Sequence, residues 1–345
     1  MKFSDLTTIG IGGELSKYNI CNDGFSLLDY TYEYYLNNLL DSGYKTNSKE
    51  YKELLPVIVG DGSNLLPPDG QFDKQVFVNK AADITIFDDS FNVESGCMLE
   101  DMIDKLIDNG VFAFTALSGI PGTVGGAIVQ NAGAYGSEIS DYLIEISIFD
   151  FKKGKYIELS KNQLKFDYRY SKIKNDPSIL VLSARFNINK NFELPSRLTD
   201  IFGAKSPKTA SDFNNLKDLI IAERAKKSMI YEITDINSHG CGSFFKNPVV
   251  PLELIEDNEI FENIPSYEVA DPKSIKLSAA ALIEQSDLPK GFTLNGRAGL
   301  SHNHTLAIVN FGGATRADVD ELCEHIKKQV FEKFNVSLEE EVVRL

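Results

Sequence analysis

The chain has 345 residues, more than one hydrophobic core usually serves, so two or three domains are expected. With 43% hydrophobic and 25% charged residues it is a folded protein rather than a disordered one, and its net charge of −15 argues against a nucleic-acid partner, since neutralising phosphates needs a basic surface. Residues 1–8 hold no apolar run of signal-peptide length, and nowhere do about 18 apolar residues follow one another, so a cytoplasmic location away from the membrane is expected.

Val57, Ile58 and Val59 read as a short buried strand running straight into Gly60-Asp61-Gly62-Ser63-Asn64, where glycine lets the backbone turn tightly and approach a ligand. Pro67-Pro68-Asp69-Gly70 then breaks the chain before any long helix, which argues against a Rossmann unit. Val76–Val78, Ile84–Phe87 and Phe91–Val93 are short runs divided by turn residues such as Asp88-Asp89-Ser90, and predict a hairpin-rich sheet. Leu99, Met102, Ile103, Leu106 and Ile107 recur at helical spacing and stop at Asn109-Gly110, giving an amphipathic helix packed on that sheet. Alternation at Ile144, Ile146 and Ile148, and again at Leu182, Ala184, Phe186 and Ile188, predicts two further strands.

Residues 189–211 are rich in Pro, Ser, Asn and Lys without a period, and read as a linker or lid. Phe213, Leu216 and Ile220 mark a helix ending near Lys226-Lys227, followed by a helix over 279–285 and a strand over 306–309. A long helix runs from Arg316 to about Phe334, opened by Thr315 and Asp318 in a capping-box pattern, with Val319, Leu322, Cys323, Ile326 and Val330 as its buried face. Periodicity thus gives a mixed chain of helices and strands in several domains.

Cys21, Cys97, Cys241 and Cys323 form no CxxC pair, so neither a zinc site nor a disulfide framework is expected. His302 and His304 lie in a polar loop, and no metal site is predicted.

Seven glycines fall between Gly110 and Gly136, interleaved with Pro121, Thr123 and Asn131. Such a density uncovers backbone amides that can form an anion-binding concavity; by itself it is equally a pair of tight turns. Gly242-Ser243-Phe244-Phe245-Lys246-Asn247-Pro248 sets a hydroxyl beside a glycine and just ahead of a cation and an amide. Alone, it reads either as a site or as a turn with two phenylalanines, Pro248 removing a ladder donor. These two stretches stand in order with the segments 60–66, 118–127 and 130–136, with Tyr168-Arg169-Tyr170-Ser171, and with Leu338-Glu339-Glu340-Glu341-Val342. In that order they resemble the UDP-N-acetylenolpyruvoylglucosamine reductase (MurB) family of bacterial cell-wall synthesis, over roughly residues 7 to 343.

The resemblance implies an α+β architecture: vanillyl-alcohol-oxidase-type FAD-binding subdomains over 1–75 and 76–225, then a C-terminal α+β substrate-binding domain over 226–345 whose tail returns to the flavin site. It implies non-covalent FAD, with no histidine or cysteine in these motifs to form a link, and NADPH as hydride donor. Gly60, Gly62, Ser63 and Asn64 correspond to one side of the cofactor cradle, and Gly119, Gly122, Thr123, Gly125 and Gly126 to the other. Ser243 corresponds to the proton donor, Arg169 to the arginine at the substrate carboxylate, and Glu341 to the catalytic glutamate, while Glu339 and Glu340 read as solvated. Lys227, Asn247 and Tyr135 correspond to the nucleotide-sugar pocket.

Three departures stand out: Asp61 replaces the family's usual glycine, where a carboxylate must point away from a pyrophosphate; Phe202 lies near the position of a tyrosine that closes over the nucleotide in one branch; and Ser301-His302-Asn303-His304-Thr305 differs from the basic and glutamine residues of some relatives and resembles the actinobacterial-type branch. The expected activity is NADPH-dependent reduction of UDP-N-acetylglucosamine enolpyruvate to UDP-N-acetylmuramate. A flavin-dependent oxidase on the same scaffold, or a non-catalytic nucleotide-binding protein, are the alternatives.

Overall fold

Val76, Phe77 and Val78 are all buried, so this run needs cover on both faces rather than the one-sided alternation of a hairpin strand. In the computed structural model, which describes residues 1–188, 194–203 and 207–345, the strand Phe72–Asn79 lies at the centre of a three-stranded parallel sheet, between Leu15–Cys21 and Val57–Val59. The hairpin expected across 76–93 is therefore confined to Ile84–Ile86 and Ser90–Glu94. That hairpin edges a five-stranded antiparallel sheet in the order Lys155–Ser160, Leu143–Asp150, Ile179–Asn187, Ser90–Glu94, Ile84–Ile86.

The chain divides into two compact units, one of Leu15–Gly62 and Gln71–Glu223, the other of Met1–Glu14, Ser63–Gly70 and Arg224–Leu345. In the first, Val181, Ala184 and Phe186 enter a core with Leu99, Met102, Ile103, Leu106 and Ile107 of the helix Leu99–Asp108. Burial of each such side chain is worth about 1.5–3 kcal/mol, which is what seats a ten-residue helix that would be marginal in water. Leu180 and Leu182, on the same strand, join a second core with Phe77, Phe149, Phe151 and Leu27 of the helix Gly24–Tyr34.

Ile144 breaks the expected alternation. Pairing runs from Glu145–Arg185 to Leu143–Phe186, which leaves Ile144 as the extra residue of a bulge, exposed, while Leu143 and Ile146 face the core. Within the presumed linker, a helix Ser196–Phe202 buries Leu198 in the first core and ends at Gly203 in the left-handed region, φ 59°. The side chain of Phe202 lies outside the described residues. The helix Ala210–Ala225 follows, with Phe213, Leu216 and Ile220 buried as their spacing predicts.

In the second unit, the helix Arg316–Phe334 opens on a reciprocal cap. Thr315 Oγ1 accepts from the Asp318 amide at 3.2 Å, and the Asp318 carboxylate accepts from the Thr315 amide at 2.8 Å. Its apolar stripe packs in one core with Leu282 and Ile283 of the helix Ala279–Gln285 and with Phe244, Phe245, Leu300 and Ile308. The strand expected at 306–309 is Ile308–Asn310, paired with Ala298–Leu300. Val249–Pro251, Ser274–Leu277 and Ser266–Glu268 form a three-stranded antiparallel sheet in that order. Leu65–Leu66 pairs in parallel with Val343–Arg344, which ties the segment 63–70 to the C-terminal tail. All four cysteines are buried and free, and no helix among the described residues is long and apolar enough to cross a membrane.

Candidate active site

The turn after Val57–Val59 meets the glycine-rich block within the first unit. A Cβ at Gly60 would sit 2.5 Å from Thr123 Oγ1, closer than real side chains come, so this contact admits only glycine. Gly62, Gly119 and Gly122 adopt φ of 69°, 71° and 111°, conformations that strain any other residue. Thr123 caps the helix Val124–Gln130, its Oγ1 accepting from the Gly126 amide at 3.4 Å. The block is pinned to the strand Ser90–Glu94 and its exit, with the Val124 amide donating to Cys97 O at 2.8 Å and the Gly125 amide to Ser95 O at 2.8 Å. Glu100 accepts from the Gly119 amide at 2.7 Å, and Lys217 lies 3.6 Å from the same carboxylate.

Ser118 is fully buried, and its hydroxyl has no hydrogen-bond partner among the described residues. An orphaned buried hydroxyl beside glycine amides is a feature that a bound polar group would resolve. Two glycine turns in contact, positive φ at their corners and an unsatisfied hydroxyl together fit a phosphate-bearing cofactor such as FAD. Asp61, the departure in the first turn, is half-buried; burial pushes its carboxyl up and the Lys80 ammonium pulls it back down.

Arg169 occupies the tip of a turn bracketed by Asp167 and Tyr170, with φ 52°. Its guanidinium donates to Gly133 O at 2.6 Å and Asn131 O at 3.4 Å, and lies 5.4 Å from the Tyr168 ring centre. Asn131 closes the helix Val124–Gln130 with φ 50° and is buried; its amide donates to Glu138 at 2.7 Å and to Asp167 O at 3.0 Å. One side chain thus locks the Arg169 turn to the hairpin Gly133–Ala134 and Ser137–Glu138, whose loop carries Tyr135 with φ 55°. Burial pushes the Glu138 carboxyl up, against the Asn131 hydrogen bond and the Arg169 charge. The structure therefore places Gly60, Gly62, Gly119, Gly122, Thr123, Gly125, Gly126, Tyr135 and Arg169 in one unit.

Ser243, Glu341, Asn247, Lys227, Ser63 and Asn64 lie in the other unit. Gly242, with φ 67°, turns the chain so that half-buried Ser243 leads into a run paired on both sides. The Phe244 amide donates to Leu306 O at 2.9 Å, while the Glu341 amide donates to Phe244 O and the Lys246 amide to Glu339 O, both at 2.9 Å. Asn64 joins the same tail, its side-chain amide donating to Glu341 O at 3.3 Å and its carbonyl accepting from Val343 at 3.0 Å. Ser243, Glu341 and Asn64 are thus carried by three neighbouring segments. The Asn247 side-chain oxygen accepts from the Ala279 amide at 2.9 Å, so this residue also holds the start of the helix Ala279–Gln285.

Glu339 is exposed and pairs with Lys246 at 2.6 Å, as a solvated residue does. Glu340 does not match that expectation: its side chain is 14% exposed and bonded to Lys327 and Arg344. Arg344 lies four residues on, while Lys327 comes from the helix Arg316–Phe334, which a run of three glutamates does not announce.

His304, read from sequence as part of a polar loop, is half-buried. Its Nδ1 accepts from the Leu306 amide at 3.1 Å, which puts the neutral ring's proton on Nε2. Burial first, then the charges of Lys227 and Lys290, push it down to about 4. It therefore sits beside exposed Lys227 and two residues from the carbonyl that holds Phe244. Only the pairing of 304–306 with 242–245 could have revealed it.

A family profile described as the UDP-N-acetylenolpyruvoylglucosamine reductase C-terminal domain matches residues 234–345, and one described as an FAD binding domain matches residues 51–160. The UDP-N-acetylenolpyruvoylglucosamine reductase of Corynebacterium diphtheriae is 32% identical over 99% of this chain and 88% of its own. That of Mycobacterium tuberculosis is 31% identical over 88% of this chain and 85% of its own. The solved structure of the reductase (MurB) from Thermus caldophilus covers 100% of this chain and 97% of its own with a TM-score of 0.65 at 23% identity, a likeness of fold. With its C-terminal segment matching the family's own domain, an FAD binding domain over 51–160 and the likeness to curated members running nearly end to end, the chain belongs to the UDP-N-acetylenolpyruvoylglucosamine reductase family.

Proposed function

We propose that this protein is an NADPH-dependent flavoenzyme that reduces the enolpyruvyl ether of UDP-N-acetylglucosamine enolpyruvate to UDP-N-acetylmuramate, a cytoplasmic step in making peptidoglycan precursor. The observation that carries the reading is the pairing that lays the Ser243 segment against the Glu341 tail, in a chain of this family. FAD supplies the two-electron chemistry that links oxidation of the nicotinamide to saturation of the enolpyruvyl double bond. Residues 1–75 and 76–225 are assigned to holding it and 226–345 to the substrate, with Gly60, Gly62, Ser63, Asn64, Gly119, Gly122, Thr123, Gly125 and Gly126 as the cradle.

Saturating the double bond adds a hydride equivalent at the terminal carbon and a proton at the carbon bearing the carboxylate, and negative charge gathers on that carboxylate between the two. Arg169, preset by two backbone carbonyls, orients and neutralises the carboxylate; a planar guanidinium suits two-point contact. Glu341, held through its backbone by Phe244 and Asn64, can share a hydrogen bond with the charge that develops when its carboxyl carries a proton. Ser243 delivers the proton. An alcohol is a weak acid, yet a carbanion-like carbon is a strong base, so placement matters more than acidity. Lys227, Asn247 and Tyr135 hold the nucleotide sugar.

The test is Ser243→Ala. Bleaching of the flavin by NADPH should continue at its original rate, while recolouring by the enolpyruvyl nucleotide should slow by on the order of 10²–10⁴. Equal loss of both half-reactions would remove Ser243 from the proton step.

A further inference from the structure

We propose that Glu340 is a positioning residue: clamped between Lys327 and Arg344, it fixes the short C-terminal strand so that Glu341 is presented beside the Ser243 segment. This rests on the role given above to Glu341. The tail strand Val343–Arg344 pairs over only two residues with Leu65–Leu66, too little for a stable register by itself. Beside the backbone pairing of 339–341 with 244–246, the polar side of the helix Arg316–Phe334 anchors it through side chains. Lys327 Nζ donates to Glu340 at 2.6 Å, Arg344 donates to Glu340 at 2.5 Å and 3.0 Å, and Arg344 also bonds Asp320.

The network continues along the helix to the other functional segment. Arg316 donates to Asp320 at 2.9 Å and to Leu66 O at 3.0 Å, and the Arg316 amide donates to Asp69 at 2.9 Å. One helix face thus holds both the loop carrying Ser63 and Asn64 and the tail carrying Glu341. Along extended backbone successive side chains point to opposite sides, so tying Glu340 to the helix turns Glu341 the other way. A slip of one residue would exchange the two carboxylates.

Burial alone would push the Glu340 carboxyl up, but hydrogen bonds from Arg344 and Lys327 override it and hold the group down at about 2. It is therefore a carboxylate throughout the working pH range. Cys323, Glu324 and Glu340 offer ligand-type atoms within 4.8 Å of one another, but the Lys327 ammonium already bonds both carboxylates, so the cluster is a clamp and not a metal site.

The test compares Glu340→Gln, Glu341→Gln and the double variant in the two half-reactions. Because a misplacement of about 1 Å costs on the order of 10²-fold, Glu340→Gln should slow enolpyruvyl reduction by roughly 10- to 100-fold and leave flavin reduction by NADPH unchanged. The double variant should be no slower than Glu341→Gln alone, since the clamp acts only through its neighbour. Hydrogen exchange at the Glu341 and Val343 amides should accelerate in Glu340→Gln, with exchange in the middle of the helix unaltered. Additive losses in the double variant, or unchanged exchange in the tail, would overturn the proposal.

If Glu341→Gln leaves enolpyruvyl reduction intact, the catalytic reading fails, and tail exchange still decides whether the clamp exists. Should Glu340→Gln not fold, Arg344→Lys carries the same comparison; it keeps the charge and gives up the two-point fork.

Discussion

Gly125 and Gly126 are neighbours at the start of one helix, yet alanine should act on them with opposite sign. At Gly125, which is buried, a Cβ would lie 2.8 Å from Ser95 Cβ and 3.0 Å from Ser95 O, well inside the separation of about 3.5–4.0 Å at which carbon contacts are favourable. Ser95 has nowhere to retreat. Its hydroxyl donates to Val181 O at 2.6 Å and accepts from Asn79 at 2.8 Å, and its amide donates to Leu182 O at 2.9 Å. Overpacking of this kind costs about 1–3 kcal/mol, against a gain of about 0.5–1 kcal/mol from replacing a helical glycine, so Gly125→Ala should lose up to about 2.5 kcal/mol. At Gly126, which is exposed, the nearest atom is Thr123 Oγ1 at an ordinary 3.7 Å. There the gain of about 0.5–1 kcal/mol should stand alone. Thermal unfolding without flavin reads the contrast, at about 2–4 °C per kcal/mol. Titration with FAD adds a second axis: if Gly126 faces the cofactor as proposed, Gly126→Ala should bind flavin more weakly while melting higher. Gly125→Ala melting at or above wild type would refute the packing argument.

His304 should make stability depend on pH in a predictable direction. Its folded value of about 4 lies below the 6.5 of an unperturbed ring, so the folded state resists a proton the unfolded chain accepts. The stabilisation is fully present above pH 6.5 and is lost as pH falls toward 4; the advantage of wild type over His304→Gln in urea midpoint should therefore shrink between pH 7 and 5. A gap that stays constant would mean the ring is not held neutral. Arg169→Lys keeps the charge but cannot span the carbonyls of Gly133 and Asn131, so KM for the enolpyruvyl nucleotide should rise at least about tenfold with flavin reduction by NADPH unaltered. Unchanged KM would place the guanidinium away from the substrate.

What the sequence made legible was local. The Thr315 cap, the stripe from Val319 to Val330 and the stop after Ile107 are written within one or two helical turns, and each stands in the structure where its spacing put it. What escaped depends on partners distant in the chain. Val76–Val78 looks like a hairpin strand until the flanking parallel strands Leu15–Cys21 and Val57–Val59 supply the second covered face. Ile144 fits an alternating pattern, but the neighbouring strand's register leaves it outside. Glu340 and His304 carry little local sign of their partners: Arg344 lies only four residues from Glu340, but Lys327 in one case and Lys227 and Lys290 in the other are brought by tertiary folding. The candidate site residues stand in ordered motifs; how the fold holds them is not written there.

The charge balance explains why the holding takes this form. A chain with net charge −15 that binds a pyrophosphate-bearing cofactor cannot rely on a broad basic surface, and in the first unit the carboxylates near the glycine turns are answered. Glu100 is bonded to the Gly119 amide with Lys217 behind it, and Asp61 feels Lys80. Fixed amide dipoles bring positive potential without a mobile side chain, at the cost of backbone geometry that only glycine tolerates, as at Gly60, Gly62, Gly119 and Gly122. The second unit solves the same problem differently, using charged side chains such as Arg316, Lys327 and Arg344 to hold strands in place rather than to touch ligand. Among the cations, Arg169 and Lys227 are the two proposed above to meet the anionic substrate.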